Sequence, residues 1–508
     1  MPAGGPEGLQ YTGAHVSALV ASFSRLRDAG ATRPLIHLPV PGRSLTTEDV
    51  WQAHCAESAL LRRMGLGRGD LLVTAVGNRP SAVSLLLAAR GLDVALLAVD
   101  RGATPAEISD LCRRFGAAAV VAPVEQAAGL GTLAGAVSDG CVLVACADDR
   151  RAASGTYDGV AILKLTSGST GAAKATRTTE PQLVADSEQI VAAMGIGPDD
   201  TQIAVIPLSH AYGLSVILVP LLLQGTPIVL RDAFVPHQLP DDAGRFTART
   251  FAGVPYMFEY FLGNPPDGGW PATLGTLISA GAPLPAETVR GFLAEFGTKI
   301  HSFYGASESG GISYDDEGGG DSASTVGHPL PGVTITLRPE HGLPSGTGRV
   351  HVRSGAVSAG YVGGGEGEEF SDGGFLTGDY GKFDARGRLV LTGRVSSFIN
   401  VAGRKVHPAD VEAVLRSMPG IRDVRVVAAP DAQRGQQVAA CIVPERPEAV
   451  VSTMAIRRFC AGRLASHKIP RVIVTLDRLP LTARGKLDTR AIDDAVRAAI
   501  VKFPEQLC

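Results

Sequence analysis

From Val160 to Leu165 the chain is an almost unbroken apolar run, VAILKL, and then its chemistry changes to Thr166, Ser167, Gly168, Ser169, Thr170 and Gly171, with Lys174 following. Such a run is long enough for one buried strand. Glycines let the backbone turn tightly and present its N–H groups, hydroxyls add donors, and a lysine adds full positive charge. A loop of that composition after a strand suits phosphate. It is not the Walker form, which needs two glycines five apart and then Lys-Ser/Thr. Here the glycines are three apart and Ala175 follows the lysine, so the hydroxyl that would hold magnesium is missing from that place. Taken alone, a plain Ser/Gly/Thr loop remains the alternative.

The flanking sequence supplies a sheet for that strand. Residues 1 to about 155 alternate apolar strands with amphipathic helices, which reads as parallel βαβ units. Leu71 to Val76, Leu92 to Val99 and Ala117 to Ala122 are strand candidates, and Ser81 to Arg90 is a helix candidate. Gln202 to Ile206, Thr226 to Leu230 and Leu274 to Ser279 continue the pattern. Two glycine-rich acidic segments, Asp315 to Ser322 and Gly363 to Gly374, read as mobile surface loops. From Gly332 to about Leu391, short strands separated by turns predict a barrel-like β subdomain. Gly393 to Ser397 reads as a boundary. Beyond it Pro408 opens a helix with Val411, Val414, Leu415 and Met418 at helical spacing, closed by Gly420. Strands are expected at Asp423 to Ala428, Gln437 to Val443 and Val472 to Leu476, with a helix from Thr453 to Ala465. A piece of that size can fold as its own unit.

The bulk properties exclude several function classes. The 508 residues carry a net charge of −3 and no long basic run, which argues against nucleic acid and anionic membrane as partners. The seven cysteines are unpatterned, so a reduced compartment is expected and no zinc spacing is seen. The first ten residues lack the charge and apolar core of a signal peptide. The most apolar stretch, Ser215 to Leu230, is interrupted by Pro220, Gly225 and Pro227, too short and broken for a membrane span. A cytoplasmic protein is expected.

The order TSGSTGxxK over Thr166 to Lys174 resembles the phosphate loop of the adenylate-forming enzymes: acyl-CoA synthetases, luciferases and peptide-synthetase adenylation domains. Further motifs of that superfamily follow in order, so that the resemblance covers residues 160 to 490. Pro207 to Gly213 (PLSHAYG) is similar to the histidine-plus-aromatic segment bordering the carboxylate pocket, with His210 as its histidine. Ser279-Ala280-Gly281-Ala282-Pro283-Leu284 resembles the adenine-side loop. Ser302-Phe303-Tyr304-Gly305-Ala306-Ser307-Glu308 matches Tyr-Gly-x-Thr-Glu with a serine for the threonine. The resemblance implies that Tyr304 stacks on adenine, Ser307 meets phosphate, and Glu308 binds magnesium together with Thr170. Asp379, in Phe375-Leu376-Thr377-Gly378-Asp379, would hold the ribose hydroxyls, and Arg394 would contact ribose and phosphate. Lys486, after Gly485, matches the catalytic lysine.

The resemblance implies an α/β fold: a large N-terminal domain of two α/β subdomains plus a small β-barrel subdomain, then a small mobile α+β C-terminal domain. The expected division is 1–395 and 396–508, with the hinge near Ser396. It implies ATP, Mg²⁺ and a thiol, either coenzyme A or a carrier protein's phosphopantetheine. In the first step a carboxylic acid and ATP give acyl-adenylate and pyrophosphate. Lys486 bridges the two anions while Mg²⁺ and the 166–174 loop neutralise the triphosphate. In the second the C-terminal domain turns and the acyl group passes to the thiol. Three positions depart from the common pattern: Ser396 at the hinge, Asn400 for a lysine linked to the second step, and Ala175 for glycine. Amino-acid-activating relatives carry an aspartate near Ala211 that is absent here. With His210 and Gly281, the apolar set Ala211, Tyr212, Val254, Pro255 and Ala280 suggests a fatty, aryl or polycyclic acid. A stand-alone acid–CoA ligase is the leading expectation, a carrier-loading ligase the second, and a non-catalytic nucleotide-binding protein the third. Lys174, Glu308, Asp379, Arg394 and Lys486 together speak against the third.

Overall fold

The computed structural model describes residues 17–146, 151–153, 155–166, 174–317, 319–322, 324–340, 343–363, 369–395, 399–401, 404–406, 408–431, 435–446, 451–461, 463–464, 466–481 and 487–502. It is an α/β protein with a large N-terminal and a smaller C-terminal part. One compact unit takes in Met1–Thr336, His351–Thr377 and Asp384–Val390, and the other Leu337–Val350, Gly378–Phe383 and Leu391–Cys508.

Two large sheets build the first unit. A seven-stranded sheet has the order Thr132–Ala136, Cys141–Ala145, Ala119–Pro123, Leu71–Thr74, Ala95–Ala98, Val160–Thr166, Lys174–Thr179. Its central pairs, from Ala119–Pro123 through Val160–Thr166, are parallel. All four residues of Leu71–Thr74 are buried, as expected of a parallel strand covered on both faces. Helix Pro80–Gly91 is buried from Ser81 through Arg90 but for Ala82. A helix apolar nearly all round belongs inside a core. The second sheet has nine strands in the order His328–Pro329, Gly310–Tyr314, Ile300–Ala306, Thr276–Ser279, Thr250–Gly253, Gln202–Ala204, Ile228–Leu230, Pro34–Leu38, Arg43–Thr46.

Local signals set the helices between them. Thr104 and Glu107, like Thr179 and Gln182, form reciprocal capping boxes at helices Pro105–Phe115 and Glu180–Met194. The apolar stretch from Ser215 begins not as a strand but inside a helical segment. A wide π turn over Leu214–Leu218 runs into helix Val219–Gln224, which Gly225 ends in the left-handed conformation.

Two expectations change. Among the described residues the short strands between 332 and 391 form a four-stranded sheet in the order Thr334–Arg338, Thr347–Arg353, Phe375–Phe383, Leu389–Arg394, where a barrel-like unit was expected. The acidic segment Asp315 to Ser322 is anchored rather than a loose loop. Asp315 is 1% exposed and pairs with buried Lys299 at 2.8 Å, and Glu317 accepts from Arg388 at 2.7 Å. Its cationic partners lie outside the segment, so local composition does not show them.

The second unit carries the expected α+β pattern. Strands Gly435–Pro444 and Ile421–Asp431 pair along their length, and Val472–Thr475 joins Gly435–Pro444 in parallel. Helix Pro408–Arg416 buries Val411 and Leu415 in a core with Ile399, Val406, Val426 and Ile456. Cys55, Cys141, Cys441 and Cys460 are free thiols. Among the described residues no helix is long and apolar enough to cross a membrane.

Candidate active site

In the first unit the expected motifs converge on the ends of neighbouring strands. Strand Val160–Thr166 stops at half-buried Thr166, and Lys174 opens the antiparallel strand beside it with Thr166 and Lys174 as register partners. Thr166 and Lys174, which flank the phosphate-loop motif, therefore stand side by side. Ser167, Gly168, Ser169, Thr170 and Gly171 lie outside the described residues. Lys174 itself is exposed.

Tyr304 and Glu308 sit on the hairpin of Ile300–Ala306 and Gly310–Tyr314. The main chain of 358–362 fastens that hairpin to the strand after the phosphate loop. Gly360 and Ala175 carbonyls accept from Arg177 and Val362 amides, and Ser358 donates through N and Oγ to the Glu308 carbonyl. The same segment delivers Tyr361, whose hydroxyl donates to Glu308 Oε1 at 3.0 Å. Lys174 Nζ stands 5.1 Å from the centroid of the Tyr361 ring. Burial, then the negative charge of Glu308, raises the Tyr361 phenol far above its ordinary pKa. It therefore stays a hydrogen-bond donor throughout the working pH range.

The remaining expected residues are placed as follows. Tyr304 is buried, with its hydroxyl 3.4 Å from Thr377 Oγ1. Ser302 is buried on the same strand, Ser307 is half-buried in the turn, and Gly305 faces Gly311 across it. Gly281 has φ +82°, a conformation that favours glycine, and with exposed Ala282 and Pro283 it follows buried Ala280. His210 starts the short helix Ala211–Gly213 and lies 3.5 Å from Asp100. Tyr212 donates to the Ile278 carbonyl at 3.2 Å and packs on Phe303. Val254 is half-buried and Pro255 buried. A small apolar cavity beside this segment is lined by Thr74, Leu96, Ile162, Leu208, Leu214 and Leu218 among others, but not by the expected pocket residues.

In the second unit Asp379 and Arg394, both expected at the ribose, meet each other at 2.7 Å. Arg394 is 66% exposed, and an ion pair with one partner in water holds weakly. Lys486 and Ser396 lie outside the described residues. Asn400 is in strand Ile399–Val401.

Sequence reasoning missed Tyr361 and also Lys164 and Asp186. Lys164 had a signal, being the one charge in an apolar strand.

Residues 26–362 match the model of the AMP-binding enzyme family and 410–486 that of the AMP-binding enzyme C-terminal domain. The chain belongs to the AMP-binding enzyme family. It is an AMP-forming acid–thiol ligase, and it uses ATP. A probable CoA ligase of Humulus lupulus is 30% identical over 365 residues, 67% of each chain. The 2-succinylbenzoate–CoA ligase of Enterococcus faecalis is 29% identical over 65% of this chain and 68% of its own. The ATP-bound structure of MatB from Rhodopseudomonas palustris superposes with TM-score 0.75 at 25% identity, covering 94% of this chain and 99% of that one.

Proposed function

We propose that this ligase activates an apolar carboxylic acid lacking an α-amino group and transfers it to coenzyme A. The observation that carries the reading is Tyr361 standing between Lys174 and Glu308, because it gathers the phosphate-loop strand and the YGASE hairpin into one cluster. In this reading Thr166 to Gly171 and Lys174 hold the triphosphate. Gly281, Ala282, Pro283 and Tyr304 face the adenine, Ser302 and Ser307 lie at the nucleotide, and Asp379 and Arg394 take the ribose. His210, Ala211, Tyr212, Val254, Pro255 and Ala280 border the acid. Magnesium suits the donor set, since the Glu308 carboxylate and the Thr170 hydroxyl are hard oxygen ligands. When bound it would offset triphosphate charge.

Two anions must meet in the first step, and Lys486 supplies the positive charge between acid carboxylate and α-phosphate. The second step follows rotation of 396–508 against 1–395 about Ser396, where torsional freedom matters more than charge. A panel of acids tested for pyrophosphate release, with CoA and a carrier protein offered separately, decides the reading. Fatty or aryl acids should turn over with CoA. Better turnover of α-amino acids, or acyl transfer to carrier protein alone, would overturn it.

A further inference from the structure

A buried carboxylate outside the motifs binds directly to two of the motif-bearing segments. Asp186, on helix Glu180–Met194, is 2% exposed. Its Oδ1 accepts from the Gly311 amide at 2.8 Å and its Oδ2 from Ser215 Oγ at 2.6 Å. Gly311 lies opposite Gly305 in the hairpin that carries Tyr304 and Glu308. Ser215 lies in the helical segment that follows His210 and Tyr212. The fit at the hairpin is tight: Gly310 has φ +72°, and a Cβ there would fall 2.3 Å from Asp186 Oδ1.

The countercharge comes from the phosphate-loop strand. Lys164, two residues before Thr166, is 3% exposed and its Nζ lies 3.7 Å from Asp186 Oδ2. That ammonium makes no hydrogen bond among the described residues. A buried ion pair of this kind is a poor source of stability, because two well-packed apolar side chains would hold the core as well or better. What it supplies is registry. An apolar pair could not accept the Gly311 amide or the Ser215 hydroxyl, and an unpaired aspartate could not remain there as a charge.

We propose that Asp186 is a positioning residue for nucleotide binding. It fixes the Tyr304–Glu308 hairpin against the phosphate-loop strand, with Lys164 as its countercharge. This rests on the reading of that hairpin as part of the nucleotide site.

The full-length chain is tested as Lys164→Met, Asp186→Asn, the double variant Lys164→Met/Asp186→Asn, Ser215→Ala and Glu308→Gln. The probe is α,β-methylene-ATP, bound with and without MgCl₂ and measured by calorimetry, alongside amide hydrogen exchange over 304–311. Each single change at Lys164 or Asp186 should weaken nucleotide binding by about tenfold and speed exchange in the hairpin. The double variant removes both charges and leaves an amide able to accept from Gly311, so it should return to within about threefold of the parent. Ser215→Ala, which strands no charge, should cost about threefold and covers the case in which the other singles fail to fold. Lower melting temperature with unchanged nucleotide affinity and unchanged hairpin exchange would overturn the proposal. If Glu308→Gln binds nucleotide like the parent while the Asp186 variants do not, the role given to Glu308 fails and that of Asp186 stands.

Discussion

The Tyr361 hydroxyl donates to Glu308 Oε1 at 3.0 Å, while the opposite charge of Lys174 stands over the ring of the same tyrosine at 5.1 Å. One tyrosine side chain thus lies against both a lysine and a glutamate. The ring acts as the spacer, and the chain segment that brings it is hydrogen-bonded to both sides.

Tyr361 can therefore be dissected by two substitutions. Tyr361→Phe keeps the spacer and removes one bond to a charged acceptor, which is worth about 1.5–3 kcal/mol. A fall of roughly tenfold or more in kcat/KM for ATP should follow. Tyr361→Ala removes the spacer as well, lets Lys174 approach Glu308, and should be worse than Phe. Pyrophosphate release at varied ATP measures both. Equal values for Phe, Ala and parent would rule out the spacer.

Glu308→Ala should leave a folded protein that uses MgATP poorly, with the deficit greatest when magnesium is limiting. The Glu308 backbone carbonyl, not its side chain, accepts from Ser358, so the turn survives the change. A parent-like magnesium dependence of pyrophosphate release would remove Glu308 from the metal role.

Legibility in the sequence followed the range of the interaction. The strand before the phosphate loop and the Pro408 helix were readable because apolar spacing and chain punctuation are local. Lys164 was read as part of an apolar run, since its partner Asp186 lies on a helix beyond the loop. Asp315 was read as a loop residue because Lys299 precedes it by a whole strand. Tyr361, far along the chain from both Lys174 and Glu308, had no local mark at all. Periodicity reports which face is buried, and it says nothing about which buried charges meet.

Helix Thr47–Arg63 predicts an unusual pH profile for stability. Burial pushes Glu57 up to about 7 from 4.5, and burial, then the charge of Arg62, pulls His54 down to about 4 from 6.5. For Glu57 the folded value lies above the unfolded one, so its contribution is intact below 4.5 and is lost as pH rises through 7. For His54 the folded value lies below, so its contribution is intact above 6.5 and is lost as pH falls toward 4. Glu57→Gln removes only the first loss. Relative to the parent it should gain up to about 3 kcal/mol as pH rises through that window. Melting curves from pH 4.5 to pH 8 measure the difference, and a constant offset between the two proteins would contradict the assignment.

The last prediction separates the two half-reactions. Lys486 and Ser396 rest on sequence, and the expected roles of the two residues differ in time. If Lys486 bridges carboxylate and α-phosphate only during adenylation, Lys486→Ala should cut acyl-adenylate formation by at least ~10²-fold, the usual scale for one charge-stabilising group. Thioester formation from supplied acyl-adenylate should survive, because rotation has by then moved the lysine away. Ser396→Pro should do the reverse, since proline fixes φ at the pivot and so slows the turn while leaving adenylation intact. Each variant is assayed with ATP plus acid, and separately with synthetic adenylate plus CoA. Equal damage to both steps by both substitutions would exclude a turning domain. Adenylation that survives Lys486→Ala would move the catalytic charge elsewhere, and Lys174, already beside Tyr361 and Glu308, becomes the first residue to replace.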